Sequence, residues 1–337
     1  MMDDQRKGKG RKKRVAGTFR QVGSGVLLSI PKQNTIIRDR LVETAATLCE
    51  TRSEVTFQHS ILCQTSLPYR APGENVREWE RRQGNAALKI VAGEAINPET
   101  GDWVQLALPW GPKARLVLMH LNQEAIRTQS NVIDVGASLS GFVKRLGLAG
   151  HGRDMRMIKD QLSALSGALI RMAFLGEKGN YQFDTKVVGG FDVWFPKDQH
   201  QLVLWPSVVE LSLDYFESLQ RHAVPLDERA VAALSHSAMA LDLYAWLAHR
   251  LHRIPKPHRQ FIPWPAVKEQ FGADYERLRK FREVFMAALR QVHAVYPAMK
   301  IDVTGEGLFL YTSPAPIAKT GVVVRLPKGD SSPLPDK

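Results

Sequence analysis

The chain has 337 residues, 44% of them hydrophobic, with 46 Lys and Arg against 34 Asp and Glu for a formal net charge of +12. This length and apolar content predict two packed domains and exclude wholesale disorder. No apolar run approaches the ~18 residues of a bilayer span and the start is too charged for a signal peptide. The two cysteines, Cys49 and Cys63, are too few for a disulfide framework or a four-cysteine zinc site. A soluble, cytoplasmic protein is expected, with no membrane partner.

In chain order, residues 1–35 read as a disordered basic arm. Residues 1–20 carry eight basic side chains against Asp3 and Asp4, interrupted by Gly8 and Gly10 with no apolar period. A helical period starts at Thr35 (Ile36, Ile37, Leu41, Ala45, Leu48) and fades near Ser53. Residues 64–86, polar and holding Pro68, Pro72 and Gly73, read as a loop with at most one short helix. Ala87–Val91 and Trp103–Leu108 read as strands across the turn at Asn97–Gly101.

Lys113–Arg127 has helical spacing, Val132–Val135 is a short strand, and Ser138–Leu146 is a second helix that Ser138 can cap. Arg153–Leu175 reads as a long third helix. Tyr181–Val188, Phe191–Phe195 and Gln201–Trp205 read as strands, with a hairpin turn at Gly189-Gly190. That order then recurs. Asp227 caps a helix, Ala238–Leu251 is strongly apolar, Gln260–Trp264 is a short strand, and Pro265 opens a short helix ending at Phe271-Gly272. Tyr275–Val295 is a long third helix, and Lys300–Val303 with Leu308–Tyr311 forms a hairpin. The expected class is α+β, mainly helical. It comprises an N-terminal winged-helix domain over 36–205, a second over 206–313, and a tail over 314–337.

The excess charge is concentrated. Residues 249–290 carry ten basic and four acidic side chains, and with the arm they account for the whole +12. Such a patch beside neutral structure is the footprint of a polyanion binder. On the Tyr275–Val295 helix, Leu278, Phe281, Phe285, Leu289 and Val292 form one apolar stripe. The opposite side presents Arg279, Arg282, Met286 and Arg290, flanked by Arg277 and Lys280. A helix in the major groove reads bases through its N-terminal residues, and guanidinium forks match phosphates and guanine edges. Arg279, Arg282 and Met286 are therefore base-edge candidates. Arg277, Lys280 and Arg290 are phosphate candidates, joined by Arg253, Lys256 and Arg259 from a segment that Pro255 and Pro257 keep extended.

In the first repeat, Arg153, Arg156 and Lys159 are weaker phosphate candidates, because Asp154 and Asp160 nearly cancel them. That domain suits self-association, for which the apolar hairpin residues Val187, Val188, Phe191, Val193, Trp194 and Phe195 are candidates, although core packing is the expected fate of most of them. His249, His252 and His258 lack a neighbouring carboxylate or cysteine ligand, so no metal is expected. There is no phosphate-cradling Gly-x-x-x-x-Gly-Lys-Ser/Thr loop, no cofactor and no catalytic constellation.

The block from Trp205 to Phe216, then His222–Arg229, then Ala240–Leu251, resembles the plasmid-encoded RepA family of replication initiators over about residues 105–313. The resemblance implies two linked winged-helix domains and binding to repeated origin sites (iterons) in double-stranded DNA. It also implies help in opening an AT-rich tract, recruitment of host DnaA and the replicative helicase, autorepression, and monomer and dimer forms. The C-terminal domain would carry iteron recognition, and the N-terminal one dimerisation with secondary backbone contact. The rivals are a transcriptional repressor on the same fold and, from another class, a primase or relaxase.

Overall fold

The computed structural model describes residues 35–47, 54–97, 100–136, 138–148, 150–176, 179–190 and 208–317. The basic arm before Thr35, the tail beyond residue 317, and the expected strands Phe191–Phe195 and Gln201–Trp205 lie outside them.

The chain enters through α1 (Thr35–Thr47), which buries Leu41, followed by β1 (Val55–His59) and the single turn α2 (Ser60–Gln64). Two hairpins follow: β2 (Glu78–Gln83) with β3 (Ala86–Val91), and β4 (Glu94–Ile96) with β5 (Trp103–Gln105). β2 corrects the loop expected over 64–86. Its six residues, Glu-Trp-Glu-Arg-Arg-Gln, hide their alternation because both faces are largely polar, and pairing with β3 supplies the order.

The first helical unit has α3 (Gly111–Thr128), β6 (Val132–Asp134), α4 (Leu139–Arg145) and α5 (Gly152–Gly167). Ser138 caps α4 as expected, its Oγ accepting from the Gly141 N–H at 3.1 Å. The long helix expected to reach Leu175 stops at Gly167, and β7 (Leu169–Gly176) follows. Gly167 abuts Gly93 so closely that a Cβ on Gly93 would lie 1.8 Å from the Gly167 carbonyl oxygen. The apolar run beyond it then follows a period of two, with Ile170 and Met172 buried opposite Ile90 and Leu88 of β3.

β7 returns as β8 (Gly179–Lys186), completing a four-stranded sheet of order β2-β3-β7-β8. The chain continues as β9 (Val188–Gly190) and β10 (Val208–Leu211). Gly189-Gly190, expected as a hairpin turn, is therefore strand, paired with β10. The β7–β8 pairing instead runs from Leu169↔Lys186 out to Gly176↔Gly179.

The second unit is reached through α6 (Leu213–His222) and β11 (Ala223–Asp227). α7 (Glu228–Leu234) follows, with Asp227 accepting from the Arg229 N–H at 2.9 Å, as expected of its cap. Then come α8 (Ala238–Arg250), β12 (Arg259–Pro263), α9 (Trp264–Phe271), α10 (Leu278–Val295), β13 (Ile301–Val303) and β14 (Gly307–Tyr311). Sheets β6-β10-β9 and β12-β14-β13 are both antiparallel and share one connectivity: the strand before the helix pair, then the last strand, then the middle one.

The division expected between residues 205 and 206 falls between β9 and β10, which are neighbours in one sheet. The N-terminal segment also reaches across. β1 pairs with β11 from Val55↔Asp227 to His59↔Ala223, and α1 packs on α7 and α10. One continuous apolar core results. At its centre the buried Arg115 of α3 makes two hydrogen bonds to Asp242 of α8, at 2.6 and 2.7 Å.

Candidate nucleic-acid interface

α10 is positioned by its apolar stripe. Phe281, Phe285, Leu289 and Val292 are buried, and Phe285 meets Trp264 edge-on at 5.6 Å. Leu278, expected to complete the stripe, is instead 37% exposed, because it is the first helical residue and overhangs the end of the core. The helix begins three residues later than its period suggested, with Arg277 at the cap. Arg277, Arg279 and Lys280 thus crowd the exposed first turn, where Lys280 pairs with Glu283 at 3.1 Å.

Arg282 is half-buried, its guanidinium 4.6 Å from the centre of the Trp264 ring. That stacking limits the side chain's freedom while leaving the fork's edge for other partners. Met286 and Arg290, one and two turns on, differ from the expected exposed face. Met286 packs against the core, and the Arg290 Nε is buried without a hydrogen-bond partner. The helix as a whole packs against α1, α7, α8 and α9.

The β13–β14 hairpin flanks this helix. Thr304 Oγ1 accepts from the Glu306 and Gly307 N–H groups and so closes the turn. Gly307 admits no side chain, since a Cβ there would lie 2.2 Å from the Ile262 carbonyl oxygen. Arg259 on β12 lies over Phe309 at 4.4 Å, beside an exposed Phe261. Neither contact was evident from spacing; a basic residue four positions before the strand-ending Pro263 was the only local signal. Lys256 is exposed, but its segment is not extended as expected. The His258 N–H donates to the Pro255 carbonyl at 2.9 Å, and the Lys256–Pro257 peptide is cis.

Arg253 is drawn inward, donating to Nε2 of His249. Burial, aided by Arg253, pushes the His249 pKa down to about 3, so the ring is neutral and accepts. His252 donates Nδ1–H to the Ala248 carbonyl. Among the described residues no cluster of three His, Cys, Asp or Glu side chains could hold a metal ion.

In the first unit, Arg153 and Arg156 are exposed on α5. Asp154, expected to offset them, pairs with Lys113 of α3 at 3.0 Å, and burial lowers the Lys159 pKa. Val187 and Val188 are in the core and unavailable as an association surface, while Phe191–Phe195 lie outside the described residues. Among the described residues no helix is long and apolar enough to cross a membrane.

Residues 108–265, from just before α3 to the start of α9, match the family described as "Plasmid encoded RepA protein". No curated protein matches the chain. Solved structures similar to the chain include two of RctB. One is the crystal structure of selenomethionine derivatives of domain 2 and domain 3 of RctB, at 10% identity and TM-score 0.48, covering 73% of this chain and 94% of that one. The other is the crystal structure of RctB domains 2–3, at 10% identity and TM-score 0.44, covering 74% and 94%. Through residues 108–265, a little under half of its length, the chain is thus similar to the family of plasmid-encoded RepA proteins.

Proposed function

We propose that this protein is a RepA-type, non-enzymatic initiator of plasmid replication that binds repeated origin sites in double-stranded DNA through two tandem winged helices. The first runs from α3 to β10 and the second from α8 to β14. The observation that carries the reading is the first turn of α10. Three exposed basic residues and the Trp264-stacked Arg282 stand where a helix in the major groove meets base edges, beside a short hairpin. Arg279 and Arg282 read base edges, with Met286 at the inner margin. Arg277, Lys280, Lys256 and Arg259 hold phosphates, and Arg153 and Arg156 of α5 make secondary contact. Self-association, autorepression and recruitment of host DnaA and the replicative helicase complete the role by family resemblance.

The test is fluorescence anisotropy on the gene's own upstream DNA against a shuffled duplex, from low to physiological salt. A cognate preference of ~10³-fold or more that survives added salt is expected. Equal, steeply salt-sensitive binding to both duplexes would leave only phosphate attraction and sink the reading.

A further inference from the structure

A cavity of about 380 Å³ lies where the two helical units meet. Phe174 and Tyr181 of the β7–β8 hairpin, Arg221 and His222 at the end of α6, and His249 and Arg253 at the end of α8 line it. The lining includes no carboxylate. Arg253 is held by the neutral His249, and among the described residues no acidic side chain pairs with it. Arg221 has Glu217 at 3.4 Å, one turn back on an exposed helix face. Two guanidinium groups therefore border a recess with no negative charge of its own, and a partly desolvated cation favours an anion beside it. Phe174 and Tyr181, 41% and 40% exposed, add two aromatic faces.

Ser218 also lines the cavity, with its Oγ 3.0 Å from Nε2 of His59, a pair that invites a catalytic reading. The tautomer argues against it. The Ile61 N–H donates to Nδ1 of His59, so Nε2 carries the proton and donates to Ser218. Such an imidazole cannot take the hydroxyl proton. The cavity is built to bind.

We propose that it is a binding site for a free nucleoside phosphate. Arg253 and Arg221 grip the phosphate oxygens and the aromatic pair stacks the base. The volume falls within the range of small-molecule sites. A DNA strand would instead call for an extended cationic groove. Because the lining comes from both units, occupancy is coupled to their relative placement. Any effect of the nucleotide on DNA affinity must then be returned, by the same factor, as an effect of DNA on nucleotide affinity.

The experiment is isothermal titration of the full chain, without DNA, by ADP, adenosine and pyrophosphate at physiological salt. ADP is expected to bind, with adenosine and pyrophosphate each at least tenfold weaker. Arg253→Gln should weaken ADP at least tenfold, whereas Arg82→Ala, which removes a surface charge elsewhere, should leave it unchanged. Tyr181→Ala, on the exposed rim, repeats the test with unchanged circular dichroism if Arg253→Gln does not fold. Absence of ADP binding, equal loss in the Arg82 and Arg253 variants, or pyrophosphate binding as tight as ADP overturns the proposal. So does a short oligothymidylate that displaces ADP at equal concentration. Origin binding is measured separately, so failure here leaves that reading intact.

Discussion

Arg115 shows how much one side chain can organise. Two of its nitrogens meet both oxygens of Asp242, and its other hydrogens reach the Leu67, Pro68 and Gly111 carbonyls. The pair is buried, so removing one partner strands the other charge. Arg115→Ala is expected to lower unfolding free energy by about 3–5 kcal/mol. Replacing both partners by apolar residues of similar volume should recover most of it, as chemical denaturation would measure. The buried histidines act in the opposite sense. Burial pushes the pKa of His59 to about 3 and that of His120 to about 4, both well below the ordinary 6.5. From pH 6.5 downward the unfolded chain takes up protons that the folded chain refuses, so stability falls as pH drops through that window. His59→Asn, which keeps an acceptor for the Ile61 N–H, should flatten the slope of unfolding free energy against pH by up to about 1.4 kcal/mol per unit. At the interface, Arg282→Ala should cost about 1–3 kcal/mol on cognate DNA and relax specificity, while Lys256→Ala weakens cognate and shuffled duplexes alike. Equal losses on both duplexes for both variants would refute the division of roles.

Elements were legible in the sequence where local signals agreed. Ser138 and Asp227 announced their helices through capping oxygens, and α8 and α10 through sustained apolar periods. Legibility failed where a distant partner decides. Leu169–Leu175 fits a helical or a strand period equally, and only β3 on one side and β8 on the other select the strand. β2 carries no apolar alternation, and Gly189-Gly190 satisfies a turn rule that the pairing with β10 overrides. The basic face of α10 was readable in kind and not in extent. Spacing placed Arg290 and Met286 outward, whereas α1, arriving from 240 residues earlier by sequence, packs against this helix. The hairpin beside α10 offers a test at this scale. Gly307→Ala forces a methyl into the Ile262 carbonyl, and should cost about 1–3 kcal/mol in stability while lowering DNA affinity.

Across the molecule, charge and architecture are distributed differently. The family match ends at residue 265, before α10, while the basic residues proposed to contact DNA extend beyond it. Electrostatic attraction from those residues makes binding depend on ionic strength, and each phosphate contact removed should reduce the slope of log K against log salt by about 0.9. A Lys256→Ala, Arg259→Ala double variant is thus expected to lose close to two units of slope, measured by titrating salt into preformed complexes.

The β1–β11 pairing has a further consequence during synthesis. Its two strands are separated by some 160 positions, so β1 leaves the ribosome long before its partner exists. Until residue 227 has emerged, the nascent chain carries an unsatisfied strand edge and an incomplete core, the condition under which chains associate wrongly. Translation speed between residues 60 and 227 therefore sets how long each new molecule stays vulnerable. A message truncated before β11 would yield a product that cannot close its fold.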